Sequence, residues 1–140
     1  MPSEPASRPA TSPRSGVADE NRLTVGSVVL GVDDLARATA FWSAVLHYRP
    51  RDPGDDSWIV LMPRTGAGVQ VALMRSDTDA QPYPRVHLDL YATDQPAEID
   101  RLLALGATEV DWDLYPADPD FVVLADPDGN RFCVVDTSRG

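Results

Sequence analysis

The sequence predicts an α+β fold in which two βαβββ repeats form facing curved sheets around a cleft. Segments with the period of a strand alternate along the chain with segments that have the period of a helix. The two halves repeat this order at one spacing, because Ser27 precedes Asp34 by seven residues and His87 precedes Asp94 by seven. No glycine-rich turn joins a strand to a helix, which argues against a Rossmann-like parallel sheet. A sheet with one apolar face must be covered, so two such repeats enclose a cleft.

The first repeat, about residues 23 to 75, begins with a run of β-branched and apolar residues that is typical of a strand. Asp34 follows as a helix N-cap, and apolar residues then recur at helical spacing as far as Leu46. A turn-rich stretch at 52–56 separates this helix from two short strands. The predicted strands of this half cover residues 24–32, 58–62 and 69–74.

The second repeat, about residues 85 to 137, has the same plan. Asp94 is the N-cap of its helix, Pro96 stands in the first helical turn, and Gly106 ends the helix. The turn at 126–130, with the sequence DPDGN, favours a hairpin before the last strand. The predicted strands of this half cover residues 86–91, 108–112, 121–124 and 131–135.

Length and composition predict one domain with a tail. The 140 residues allow a single compact domain, which we expect over residues 23–138. Residues 1–22 contain four prolines and no apolar run as long as a signal peptide or a membrane span, so we expect a disordered tail on a cytoplasmic protein. The single cysteine, Cys133, excludes an internal disulfide framework and is consistent with a reducing compartment.

The charge balance excludes several classes of function. With 22 acidic and 12 basic residues, the formal net charge is -10, so neither nucleic acid nor an anionic membrane is an expected partner. All the basic residues are arginines. The absence of lysine excludes a Schiff-base enzyme and a P-loop phosphate anchor.

Three sequence segments in this order resemble the vicinal oxygen chelate superfamily, which groups glyoxalase I, extradiol dioxygenases and bleomycin-resistance proteins. The likeness covers roughly residues 23 to 136 and is greatest to the small bacterial glyoxalase-like branch. The segments are SVVLGVDDLARA with AFW at 27–42, LGA at 105–107, and DPDGNRF at 126–132.

The resemblance implies four positions for a divalent metal, one on the first and one on the last strand of each half. Here these positions hold Ser27, Ala72, His87 and Cys133, and only His87 keeps the usual ligand chemistry. Because a catalytic metal site needs about three protein ligands, we expect no metal cofactor. His87, Asp89 and Cys133 could rebuild a site, but same-face strand side chains point in nearly parallel directions, so we do not expect them to close on one ion.

Side-chain alternation extends the predicted cleft beyond these positions, since residues two apart on a strand face the same way. We predict His87 and Asp89 as catalytic residues. The predicted substrate-binding residues are Ser27, Gln70, Ala72, Met74, Tyr91, Arg131 and Cys133.

Each of the central residues also has a purely structural interpretation. His87 could be a hydrogen-bonded core histidine rather than a base. Asp89 could orient its imidazole or form an ion pair with Arg131, and the ion pair is slightly favoured. Cys133 is most simply a small buried apolar residue, since a nucleophile would need an electropositive neighbour.

Two classes of function remain. In one, the protein is a lyase-like or isomerase-like enzyme on a carbonyl or enolisable substrate, with His87 as general base held by Asp89 and with Gln70 or Arg131 steadying an oxyanion. In the other, it binds and sequesters an aromatic or apolar metabolite or drug, as bleomycin-resistance proteins do. A homodimer is expected, and both closure within one chain and exchange between two chains would bury the same apolar faces.

Overall fold

The computed structural model describes residues 22–139 and has the predicted α+β architecture. The predicted tail therefore lies, apart from Arg22, outside the described residues. In chain order the elements are β1 (Ser27–Val32), α1 (Leu35–Leu46), β2 (Tyr48–Pro50), β3 (Trp58–Pro63), β4 (Gln70–Arg75), β5 (Asp89–Ala92), α2 (Gln95–Leu105), β6 (Thr108–Glu109), β7 (Phe121–Ala125) and β8 (Arg131–Asp136). A short 3-10 helix, Thr137–Arg139, follows β8.

The strands form two four-stranded sheets with one topology. Their orders are β1-β4-β3-β2 and β5-β8-β7-β6, so each half places its first and last strands side by side. β1 pairs with β4 in parallel and β5 pairs with β8 in parallel, whereas the other pairings are antiparallel. This arrangement confirms the two predicted βαβββ repeats.

Both helices begin at the predicted caps. The side chain of Asp34 accepts a hydrogen bond from the Arg37 amide at 3.0 Å, and the side chain of Asp94 accepts one from the Ala97 amide at 3.2 Å. The second helix ends at Gly106, whose φ of 121° is a conformation that side-chain-bearing residues rarely adopt. Each half therefore joins its first strand to its helix by a short turn that ends in a capping aspartate.

The apolar core lies on the helix side of the two sheets and is shared between the halves. In the first sheet, Ile59, Leu61 and Leu73 point to this side and belong to the core. Trp42 of α1 reaches the second half, where its ring lies 5.3 Å from that of Phe132 on β8. Because this side of each sheet is taken up by core packing, the opposite side is left for a ligand.

Hydrogen bonds connect the first half to the second half at both ends of α1. The Oδ1 atom of Asp128, in the turn before β8, accepts from the amides of Asp33 and Asp34 and from the Arg37 guanidinium. At the other end, Arg101 of α2 donates to the carbonyls of Ala44 and Val45 at 3.1 and 3.0 Å.

Neither helix among residues 22–139 has the length and the apolar composition that a membrane span requires.

Candidate functional site

The open face of the second sheet carries a pocket of about 380 Å³. Strand register accounts for its walls, because Asp89 and Val123 stand opposite Cys133, and Tyr91 and Phe121 stand opposite Val135. Residues paired in this way share one face of the sheet. The apolar and aromatic residues that line the pocket include Tyr91, Trp112, Leu114, Phe121, Val123 and Val135.

His87 and Asp89 are hydrogen-bonded to each other in this pocket. The His87 Nε2 atom lies 3.1 Å from the Asp89 Oδ1 atom, and both side chains are about half exposed. With Nε2 engaged by an acceptor, the neutral ring carries its proton on Nε2 and presents Nδ1 as the basic atom. The structure thus favours the interpretation in which Asp89 orients the imidazole.

Arg131 lines the pocket without pairing with Asp89. Its Nη1 atom donates to the carbonyl of Pro82 at 2.6 Å. Its Cζ atom lies 5.8 Å from the centre of the Trp112 ring and 6.0 Å from that of Tyr83, within the range of a cation–π contact. The predicted Asp89–Arg131 ion pair is therefore wrong, since the linker before β5 passes close enough to occupy the guanidinium.

Cys133 is buried at the base of the pocket, with 8% of its surface exposed. Burial raises the pKa of its thiol to about 11, and the negative charge of Asp89 acts in the same direction. A thiol in this environment stays protonated near neutral pH. The geometry therefore favours Cys133 as an apolar part of the pocket floor and not as a nucleophile.

The predicted site residues divide by half. Tyr91, Arg131 and Cys133 line the pocket together with His87 and Asp89. The four first-half residues do not line it. Ser27 is half-buried on β1, and Gln70 donates a hydrogen bond to the Gly26 carbonyl. Ala72 is fully buried, and Met74 is exposed on the free face of the first sheet.

A second cavity, of about 470 Å³, lies between the two halves and also reaches His87. Residues Val28 to Gly31 of β1 line one side, and Pro84 to Leu88 of the linker line another. Phe132 and Arg131 line both cavities. His87 thus stands where the second-half pocket meets the groove between the halves.

Sequence reasoning missed the residues that connecting segments bring to the pocket. Trp112 was expected at the end of a strand over 108–112, but β6 stops at Glu109, and residues 110–120 run past the sheet without pairing. This path places Trp112, Leu114 and Asp120 on the pocket wall. The signal available was a tryptophan in a stretch otherwise rich in aspartate and proline, which suits a loop better than a strand.

Comparison with known proteins now identifies the fold family. The model of the glyoxalase-like domain family matches residues 27–135, which is most of the chain. The chain belongs to this glyoxalase-like family. No curated protein matches it.

Solved structures support the glyoxalase-like fold at low sequence identity. The fosfomycin resistance protein FosX of Listeria monocytogenes superposes with a TM-score of 0.64 at 16% identity, covering 80% of this chain and 88% of that one. A glyoxalase/bleomycin resistance protein of Albidiferax ferrireducens gives 0.53 at 23% identity, covering 79% and 96%. A glyoxalase-related enzyme of Fulvimarina pelagi gives 0.60 at 17%, covering 81% and 88%. At these identities the likeness shows the fold alone.

The residues do not fit the metal site that the resemblance implies for this glyoxalase-like chain. Ala72 offers a methyl group and Ser27 a weak neutral ligand, so the first half supplies no strong ligand. In the second half the ligand atoms of His87, Asp89 and Cys133 lie within 4.8 Å of one another, close enough to hold one ion, which the alternation of strand side chains did not predict. The reason is that His87 precedes the regular ladder of β5, and its ring turns towards Asp89.

Proposed function

We propose that this glyoxalase-like protein binds a small, largely apolar organic molecule in the pocket of its second sheet. The observation that carries the proposal is an apolar and aromatic pocket built around one hydrogen-bonded polar pair, His87 and Asp89. Ligand sites in proteins commonly combine apolar walls with a few convergent polar groups, because burial supplies affinity and the polar groups fix orientation. The pocket volume of about 380 Å³ suits a ligand of one or two rings.

Thermal-shift screening of a metabolite library tests this proposal, because a ligand that binds only the folded state raises the melting temperature. Each hit is repeated on Val135→Trp, which fills the pocket, and on Ala104→Trp, which adds the same ring to the exposed side of α2. We expect hits that are lost in Val135→Trp and kept in Ala104→Trp. Hits kept equally in both variants would contradict binding in this pocket.

A second candidate function is general-base catalysis on a carbonyl or enolisable substrate, in the manner of a lyase or isomerase. The His87–Asp89 hydrogen bond favours it, because it leaves Nδ1 free to accept a proton from a bound molecule. Gln70 does not line the pocket, and Arg131 is engaged with Pro82. Of the two donors predicted for an oxyanion, only Arg131 lies at the pocket, and its position is set by Pro82 and two rings, so binding is the better supported function.

Proton exchange tests this second function without a known substrate. A panel of aryl ketones and aldehydes is incubated with the protein in deuterated water, and loss of α-proton signals is followed by NMR. General-base action by His87 predicts exchange that His87→Ala abolishes and His47→Ala retains, because His47 is an exposed residue at the end of α1. Exchange that persists in His87→Ala would contradict this function.

We propose in addition that the chain forms a homodimer. The free face of the first sheet exposes 45% of Val29, 38% of Trp58 and 42% of Met74, and their strands are adjacent. Covering such a face removes apolar area from water. Light scattering should give twice the chain mass, and Trp58→Glu with Met74→Glu should give the single-chain mass while leaving the circular dichroism spectrum unchanged. A single-chain mass for the unmodified protein would overturn the proposal.

A further inference from the structure

We propose that the ligand of the second-half pocket is an organic cation, such as an amine on an aromatic body. This inference rests on the proposed binding function and names the class of ligand. It follows from the charge of the groups that line the pocket, where two carboxylates stand with one guanidinium, and from the aromatic faces beside them.

The charged groups of the pocket are mainly acidic. Asp89 and Asp120 both line it, and among the described residues Arg131 is the only lining side chain with a permanent positive charge. Asp111 and Asp113 lie close to Tyr83, beside the same wall, and Asp113 accepts a hydrogen bond from the Tyr83 hydroxyl at 2.9 Å. Carboxylates accept hydrogen bonds and attract positive charge, so the wall is complementary to a ligand that carries an ammonium group.

The guanidinium of Arg131 already makes contacts within the protein. Arg131 donates to Pro82 and lies against the rings of Tyr83 and Trp112. An anionic ligand would meet a guanidinium whose Nη1 atom already donates to Pro82 and whose Cζ atom lies within 6.0 Å of two ring centres. The same wall therefore holds one permanent positive charge, and that charge is already stabilised by contacts within the protein.

The aromatic lining adds a second attraction for a cation. Tyr91 is 77% exposed at the pocket rim. Tyr91 of β5 and Phe121 of β7 both stand opposite Val135 of β8, so their rings share one face of the sheet. Rings such as these attract an ammonium group through their negative faces and also pack against an apolar ligand body. The net charge of -10 further raises the local concentration of cations and lowers that of anions.

Three probes with one ring and nearly one shape separate charge from apolar packing. They are 2-phenylethylamine, a cation, 2-phenylethanol, which is neutral, and 3-phenylpropionate, an anion. Binding is measured by calorimetry on the full chain at about pH 8, where an alkylamine carries its charge. We expect the amine to bind about fivefold or more tightly than the alcohol, the propionate to bind most weakly, and the amine preference to shrink in high salt.

Two variants locate the effect. Asp120→Asn should lower the affinity for the amine relative to that for the alcohol, because it removes one charge from the pocket wall. Asp56→Asn removes the same charge from the first half and should change neither. Equal affinity for amine and alcohol, or tighter binding of the propionate, would overturn the cation inference and leave the binding function standing. Failure of all three probes to bind up to about 10 mM would contradict both.

Discussion

The Nε2 atom of His87 and the Oδ1 atom of Asp89 lie 3.1 Å apart, although only one residue separates them in the chain. His87 lies two residues before Asp89, the first residue of β5, and its ring turns towards the Asp89 carboxylate. The pair places one oriented imidazole at the junction of the pocket and the groove between the halves.

We predict that the Asp89 carboxylate fixes the tautomer of His87. Nitrogen-15 NMR of the imidazole should show the proton on Nε2 in the unmodified protein at a pH where the ring is neutral. In Asp89→Asn the preference should weaken, since an amide can donate as well as accept. His47 serves as the internal control in the same spectra, and an unchanged His87 signal in the variant would argue against an orienting role.

Cys133 should react slowly with thiol reagents. Its pKa, raised to about 11 from an ordinary value of 9.0, leaves about 100-fold less thiolate near neutral pH than a free cysteine has. The rate of labelling by iodoacetamide should rise with pH up to about 11 and should rise strongly when urea unfolds the chain. Asp89→Asn should speed the reaction only modestly, because burial is the larger cause.

The same shift makes a prediction about stability. A thiol whose pKa is higher in the folded state than in the unfolded state stabilises the fold fully below about 9 and loses this contribution as the pH rises towards about 11. Denaturation by urea at a series of alkaline pH values should show this loss. Cys133→Ala should flatten that part of the profile, and an equally steep profile in the variant would contradict the assignment.

The sequence predicted the parts of the fold that depend on local signals. The capping aspartates, Asp34 and Asp94, with the helical spacing of apolar residues predicted both helices, and short runs of β-branched and apolar residues predicted most strands. β2 has three residues, too few to show a period. The strand expected over 108–112 was too long, because β6 ends at Glu109. Trp112 lines the pocket and does not pair in the sheet.

Apart from His87, the site was predictable only where it lies on regular strands. Asp89, Tyr91, Arg131 and Cys133 share a face as alternation required. The partner of Arg131 was not predictable, since it depends on where the linker at 76–88 crosses the sheet. Packing between distant segments leaves no periodic trace in the sequence.

Asp126 should be the most sensitive polar residue outside the pocket. It is buried, and its carboxylate accepts hydrogen bonds from Trp42, from the amide of Asp128 and from Asn130. Asp126→Ala should lower the free energy of unfolding by about 2 to 4 kcal/mol, because several buried donors lose their acceptor. Asp100→Ala on the exposed side of α2 should change it by less than about 0.5 kcal/mol. Urea denaturation followed by tryptophan fluorescence measures both.

The final prediction concerns metal content, for which the fold family and the residues disagree. FosX was solved as a complex with manganese(II), and the fold is shared. In this chain the first half offers Ser27 and Ala72 at the corresponding positions, and a three-ligand site would depend on His87, Asp89 and Cys133 alone. Asp89 is already hydrogen-bonded to the imidazole, and a metal would have to replace that bond and deprotonate a buried thiol.

We therefore expect protein purified without added metal to contain well under one equivalent of any divalent transition ion, and we expect EDTA to leave its melting temperature unchanged. Elemental analysis and thermal denaturation with and without chelator measure these quantities. His87→Ala and Cys133→Ala serve as ligand-deficient controls, with His47→Ala as the matched surface control. About one equivalent of zinc or manganese that is retained in His47→Ala but lost in the other two variants would show that the second half alone holds a metal. General-base chemistry without a metal would then be wrong for this protein, and the short His87–Asp89 contact would be a preformed part of a metal site.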